Sequence, residues 1–239
     1  GPEHIFEAKD GGLLTAMSDG GAISQLSQGL GEVYEILNMD MKPYPCCRSA
    51  HCAIDGMLEI REQMEARLGL KIRNMSEAEI LAEQIQAIEI DTYLVGYKQC
   101  AVSDGCLHPK TVLDAKFSTP YSAAAAFLYG TVGMEQFEPE VVFDPVVQNL
   151  LERVTVHPAD RFTEQYPKHW GCHVKVTMQD GTAYEAEVED PSGSVARPLS
   201  REQAMKKAEE FLSVVCPGRE QKTIEELLNL ESREQLPII

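Results

Sequence analysis

Between Ala50 and Leu68 apolar residues recur at three- and four-residue spacing (Ala50, Ala53, Ile54, Met57, Leu58, Met64, Leu68), the period of one buried helix face. Ser49 stands where an N-cap belongs and Gly69 where a C′ glycine closes a helix, so the pattern predicts a helix from Ala50 to Leu68. From Ala87 to Val95 the period becomes two: Ile88, Ile90, Thr92 and Leu94 alternate with Glu89, Asp91 and Tyr93, as in a half-buried strand. Val33 to Met41 alternates weakly and reads as a strand, preceded by a short helix from Ala22 to Leu30. Another strand is expected from Arg153 to His157.

The stretch 172–189 reads as a hairpin. Val174, Val176 and Met178 share one face of its first arm; Tyr184, Ala186 and Val188 share one face of its second. A two-residue turn at Asp180-Gly181 would set Val176 against Glu185 and mix the faces. A three-residue loop, Gln179-Asp180-Gly181, sets Val176 against Tyr184 and Lys175 against Glu185, and the pleat selects it, with Gly181 left-handed.

Helix-start signals mark the remaining elements. Ser76 with Glu79, Ser200 with Gln203 and Thr223 with Glu226 have capping-box spacing. Thr119 as cap with Pro120 at the first helical position opens a helix that contains four consecutive alanines and closes at Gly130. Side chains that small let other backbones approach, so this helix is expected to be buried. Asp144-Pro145 opens a further helix to Leu151. The last two helices carry apolar faces at Ala204, Ala208, Phe211 and Leu212, then Leu227, Leu228 and Leu230. Strands grouped with helices, without a regular βαβ repeat, give the α+β class.

Charge narrows the possible partners. The 239 residues hold 21 basic and 38 acidic side chains, a net −17, which speaks against nucleic acid or an anionic membrane as partner. An anionic substrate must therefore be drawn in by a local basic cluster against the global field. Seven cysteines form no even, secreted-type framework, and no apolar run approaches the roughly 20 residues of a membrane span. With no signal peptide, the expected location is the reducing cytoplasm. The initial Gly-Pro without methionine reads as a processed or truncated start.

One stretch supplies such a cluster: Lys42-Pro43-Tyr44-Pro45-Cys46-Cys47-Arg48-Ser49-Ala50-His51-Cys52-Ala53-Ile54-Asp55. Its prolines fix an extended approach to the predicted helix. Lys42, Arg48 and His51 thereby gather at a helix N-terminus, where unpaired N–H groups and the dipole already favour an anion. Asp55, four residues after His51, can orient the imidazole and raise its pKa. This reads as a site for a polycarboxylate. Cys46, Cys47, His51 and Cys52 also invite zinc, but adjacent cysteines are poor ligands for one tetrahedral ion and no second C-x-x-C pair follows. The thiols are read as packing residues and no metal is expected. Tyr121 has two readings, an aromatic packing residue or a phenol donating to a substrate carboxylate. His108, His157 and His169 have no partner in sequence, and the loop from Lys110 to Asp114 carries no signal.

The Lys-Pro-Tyr-Pro-Cys-Cys-Arg-x-x-His block, followed by Ala115-Lys116-Phe117-Ser118-x-x-Tyr121-x-x-Ala and Gly130, resembles the MmgE/PrpD family. Val176 to Gly181 and Gly193 to Ser200 extend the resemblance over nearly the whole chain. It implies an α+β lid domain inserted into an all-helical domain built from the N-terminal half and the C-terminal tail. On that pattern residues 1–35 are the tail of the helical domain and a linker, 36–198 the lid, and 199–239 helices returning to a helical domain that is otherwise missing. Upstream acidic, histidine and lysine active-site residues of the family have no counterpart here. The implied chemistry is cofactor-free and metal-independent: dehydration, decarboxylation or epimerisation next to a carboxylate. Lys42, Tyr121 and His51 become the expected catalytic residues, and Arg48, Lys42 and Ser118 the expected substrate-binding ones. A di- or tricarboxylate is the expected ligand, with a homo-oligomer (a dimer) or a separate helical-domain chain as protein partner. The isolated chain is expected to be inactive. Rival readings are a non-catalytic anion-binding or regulatory subunit and a zinc-stabilised interaction domain.

Overall fold

The helix foreseen behind the proline stretch is present as α1, His51–Leu68, and ends at Gly69, whose φ of 64° is left-handed. It belongs to a computed structural model that describes residues 5, 6, 8, 12–19 and 21–232. The chain divides into two units, residues 1–39 and 40–239. In the first, a short helix (Leu13–Met17) is followed by two 3-10 turns, Ile23–Ser27 and Glu35–Asn38. The strand expected from Val33 to Met41 is therefore absent. Ile36 and Leu37 break the alternation and both are exposed, so no buried face exists to hold a strand in register.

In the second unit, α1 is followed by α2 (Met75–Glu83) and strand β1 (Ile85–Thr92). Asn74, not Ser76, caps α2: its side chain accepts from the Glu77 amide at 3.0 Å, while Glu77 accepts from the Arg73 amide at 2.7 Å. The same capping spacing exists two residues upstream of the expected one, and asparagine caps as well as serine. After β1 come the alanine helix α3 (Thr119–Tyr129), α4 (Pro145–Leu151, capped by Asp144), and strands β2 (Val154–Pro158), β3 (Cys172–Met178) and β4 (Ala183–Val188). β1 stops at Thr92 rather than running to Val95, because Leu94–Cys100 forms a helix.

The strands make one mixed sheet in the order β2-β1-β3-β4, with β1 and β2 parallel and the other pairs antiparallel. Val176 faces Tyr184 and Lys175 faces Glu185, and Gly181 has a φ of 83°, the register expected from the three-residue loop. Helix α1 lies on β3 and β4, and Gly56 makes the approach possible: a Cβ there would stand 2.8 Å from Val174 Cγ2. Ala123 to Ala126 of α3 are fully buried in the same core. This is an α+β fold.

Arg61 locks α1 to α3. Its buried guanidinium donates to the Phe127 carbonyl in a close contact, to the Leu128 carbonyl at 3.1 Å and to the Ile72 carbonyl at 3.0 Å. It thereby satisfies carbonyls at the C-terminus of α3, where the helix ends at left-handed Gly130.

Two helices follow β4, α5 (Arg201–Val215) and α6 (Glu220–Leu228), and a 3-10 turn, Leu230–Ser232, comes after them. Ser200 and Gln203 form the expected capping box. Thr223 does not cap α6. The helix begins at Glu220, so Thr223 falls inside it, buried. No described helix is long and apolar enough to cross a membrane.

Candidate functional site

The proline stretch leads into one 3-10 turn, Arg48–Ala50, that runs directly into α1. That turn displaces the expected cap. Ala50 occupies the N-cap position with no side-chain bond, and Ser49 is spent elsewhere. Its hydroxyl donates to Gln99 Oε1 at 2.8 Å and accepts from the Tyr93 hydroxyl at 2.9 Å, tying the turn to the segment after β1.

Arg48 and His51 are brought together and buried. Arg48 Nη1 lies 3.4 Å from His51 Nδ1 and donates to the Ser192 carbonyl at 3.2 Å; Nη2 pairs with Asp40 at 2.7 Å. A guanidinium can only donate, so in the contact with Arg48 the His51 Nδ1 accepts, which puts the proton of the neutral ring on Nε2; the Cys46 backbone also hydrogen-bonds the ring. Among the described residues neither Arg48 Nε nor His51 Nε2 has a hydrogen-bond partner, although both are buried. The Tyr44 ring meets His51 edge-on at 5.1 Å.

Burial above all, then the Arg48 charge, pulls the His51 pKa down to about 3, with Lys42 and Lys207 adding to the effect. This reverses the expectation that Asp55 would raise it. Asp55 instead accepts from the Tyr44 hydroxyl at 2.5 Å, the Ser192 amide at 2.7 Å and Arg197 at 3.2 Å. Those three donors engage the carboxylate, and His51 stays neutral at physiological pH.

Lys42 is exposed, with its ammonium 3.3 Å from the Cys46 carbonyl. From α5, Lys207 places its ammonium in close contact with the carbonyl of Lys42 itself. Burial first, and then the Lys42 charge, hold the Lys207 pKa below the usual lysine range, against an opposing pull from Glu210. Beside them lies a cavity of about 230 Å³ bounded by Pro43, Tyr44, Ser192, Gln203, Lys207 and Glu210.

Tyr121 and Ser118 are placed differently. Tyr121 is fully buried on Phe137, ring centroids 5.6 Å apart, and its hydroxyl donates to the Gln136 carbonyl in a close contact. Burial pushes its pKa up. Ser118, not Thr119, is the cap of α3: its hydroxyl accepts from the Tyr121 amide at 3.0 Å and donates to the Cys106 carbonyl. Among the described residues no hydrogen bond, ion pair or ring contact joins either side chain to Lys42, Arg48 or His51.

The thiols divide. Burial pushes Cys46 up to about 12, whereas Cys47 is drawn down to about 6, chiefly by a hydrogen bond from the Cys100 thiol. Cys52 turns to Cys172. The motif thiols thus engage different partners. Where three ligand atoms do converge among the described residues is at His169, Glu189 and Asp190, with His169 Nδ1 2.8 Å from Asp190 and 3.9 Å from Glu189. His169 therefore has partners that local sequence did not suggest, and so does His108, 3.3 Å from Glu152.

Asp40, Ser192 and Lys207 are the site residues that local reading missed. Each reaches the cluster through the fold, and the only advance signal was the capping box that fixed where α5 begins.

Residues 44–231 match the MmgE/PrpD C-terminal domain. The chain is 23% identical over 245 aligned residues to a cis-aconitate decarboxylase-like protein of Aspergillus oryzae, covering 97% of this chain and 47% of that protein. It is 27% identical over 136 residues to the cis-aconitate decarboxylase of Mus musculus, covering 55% of this chain and 27% of the mouse protein. The chain thus spans about half the length of the fungal relative and about a quarter of the mouse one.

Proposed function

The chain belongs to the MmgE/PrpD family as its C-terminal domain, and on that premise we propose that it is the carboxylate-binding part of a lyase-type enzyme acting on a di- or tricarboxylate. The observation that carries this reading is the pair of buried nitrogens, Arg48 Nε and His51 Nε2, for which no hydrogen-bond partner is found among the described residues. A buried donor left unpaired costs about 1–3 kcal/mol, and a substrate carboxylate would remove that cost. Lys42, exposed on the stretch leading into the Arg48–Ala50 turn, adds charge.

Removing water, carbon dioxide or a proton beside a carboxylate builds negative charge on its oxygens. Fixed donors in a water-poor site stabilise that charge without reorganising. Neutral His51, with Nδ1 held by Arg48, serves as a donor through Nε2 rather than as the base. A base must lie within hydrogen-bond reach of the proton it takes. We assign it to polypeptide corresponding to the remaining half of the fungal relative, either a separate helical chain or a further part of the same protein. Such an arrangement needs no metal. Seven free cysteines agree with a reducing, cytoplasmic setting. Tyr121 and Ser118 shape α3 in this reading and do not touch substrate.

The test is a melting experiment with citrate, using sulfate at matched ionic strength as control. Citrate should stabilise the chain more than sulfate, by mass action above its dissociation constant. Lys42→Met keeps the packing of the stem and removes the charge, so it should shrink the citrate shift alone. Equal shifts with both anions, unchanged in Lys42→Met, would sink the reading.

A further inference from the structure

Lys207 stands on α5, a helix whose sequence shows only a capping box and an apolar face. Its ammonium nevertheless rests on the Lys42 carbonyl and feels the Lys42 charge. An ammonium has three donors, and among the described residues the acceptor found for Lys207 in hydrogen-bond range is that neutral carbonyl. Lys207 is half-buried, Glu210 attracts it, and the Lys42 charge opposes it more weakly. The Ser200 cap fixes where its helix begins, and the ammonium has donors left to offer an anion beyond that carbonyl.

The neighbouring geometry says what kind of anion. The cavity of about 230 Å³ is lined by Lys207, Gln203, Tyr44 and Ser192, together with Lys206 and Glu210. Tyr44 lies edge-on to His51, whose Nε2 is unpartnered, and the Ser192 carbonyl accepts from Arg48, whose Nε is unpartnered. Cationic or donor groups therefore occur in two places: Lys42 with Lys207, and Arg48 with His51. A single carboxylate can satisfy one place and leaves the other uncompensated.

We propose that Lys207 is a specificity-determining residue that, with Lys42, holds a second carboxylate of the ligand whose first carboxylate meets Arg48 and His51. The inference rests on the carboxylate-site reading above and adds a residue to it. It also makes α5 part of the binding site, beyond any packing role. The competing explanation is that Glu210 is simply the structural counter-ion of Lys207.

Melting titrations of the full chain with citrate, acetate and sulfate at matched ionic strength separate these ideas. Citrate should stabilise the wild type and acetate should do no better than sulfate. Lys207→Met should raise the half-saturating citrate concentration at least fivefold, while Lys222→Met, an exposed lysine on α6, should leave it unchanged. If citrate outperforms sulfate on the wild type and Lys207→Met keeps the wild-type half-saturation, Lys207 has no such role and the carboxylate site stands. If citrate is no better than sulfate on the wild type, the site reading falls and takes this inference with it. Should Lys207→Met not fold, amine labelling of the wild type decides. Citrate should slow modification of Lys207 several-fold and leave Lys222 unaffected, and equal rates at Lys207 with and without citrate would overturn the proposal.

Discussion

Met41 and Gly193 sit back to back: the Met41 amide donates to the Gly193 carbonyl at 2.8 Å, and the Met41 carbonyl lies 1.9 Å from where a Cβ on Gly193 would stand. Gly193 also has a φ of 78°, a conformation side chains resist. This contact pins the segment after β4 onto the backbone leading to Lys42. From that segment the Ser192 carbonyl meets Arg48, the Ser192 amide meets Asp55, and the Val195 amide meets Asp40. The floor of the site depends on one missing side chain.

Gly193→Ala should therefore damage both fold and site. Strain at positive φ plus displacement of a backbone carbonyl should cost about 3 kcal/mol. At about 2–4 °C per kcal/mol for a chain of this size, melting should fall by roughly 6–12 °C. Citrate stabilisation should weaken too, because Ser192 would no longer hold Arg48 in place. A variant that melts within about a degree of wild type would show that the segment is not pinned there.

Arg61 offers a test of the core away from the site. Arg61→Met fills similar space but strips donors from the carbonyls of Phe127, Leu128 and Ile72, all buried against the guanidinium. The expected loss is about 3 kcal/mol in urea unfolding. Arg61→Lys should recover only part of it, since a point charge cannot span carbonyls that a planar fork reaches together. Full recovery by lysine would mean that charge, not fork geometry, holds α1 to α3.

What could be read in advance, and what could not, divides by range. The end of α1 at Gly69 and the hairpin register at Val176 and Tyr184 follow from neighbours a few residues apart, and both are present. Ser49 looked like a cap for equally local reasons, but its hydroxyl is claimed by Gln99 and Tyr93, more than forty residues away. The spacing of His51 and Asp55 suggested a pair. Tyr44, Ser192 and Arg197 offer Asp55 better donors, two of them from a distant loop. Lys207 could not be placed at all, because nothing in its helix says which surface the helix covers. Lys42, Arg48 and His51 were legible as a group because one short stretch carries them.

The C-terminal helices expose apolar side chains that ask for a cover. Phe211, Val214 and Val215 on α5 and Leu228 on α6 are exposed, with Val214 at 81%. Such faces drive association. The isolated chain should bind an apolar dye and sediment as more than a monomer, and Val214→Lys with Val215→Lys should reduce both signals while leaving melting nearly unchanged. A wild-type chain that is strictly monomeric and dye-silent would remove the case for a covering partner.

His51 should leave a pH signature in stability. In the unfolded chain a histidine titrates near 6.5, whereas in the fold burial and Arg48 hold His51 near 3. Between those values the unfolded state takes up a proton that the folded state refuses. The stabilising contribution of the neutral imidazole is therefore fully present above about pH 6.5 and is lost as the pH falls towards 3, at up to about 1.4 kcal/mol per pH unit. By pH 5 the loss should reach about 2 kcal/mol. Carboxylates also titrate as the pH falls, so the informative quantity is a difference. His51→Gln keeps an uncharged polar side chain and cannot take the proton. It should be less stable than wild type at pH 7.5, because its amide fits the space between Arg48 and Tyr44 poorly, and that gap should shrink by about 2 kcal/mol on going to pH 5. Urea unfolding of both proteins across this range measures it directly. A gap that stays constant would mean that His51 titrates normally in the fold, and a gap that widens would mean that a nearby carboxylate raises its pKa after all.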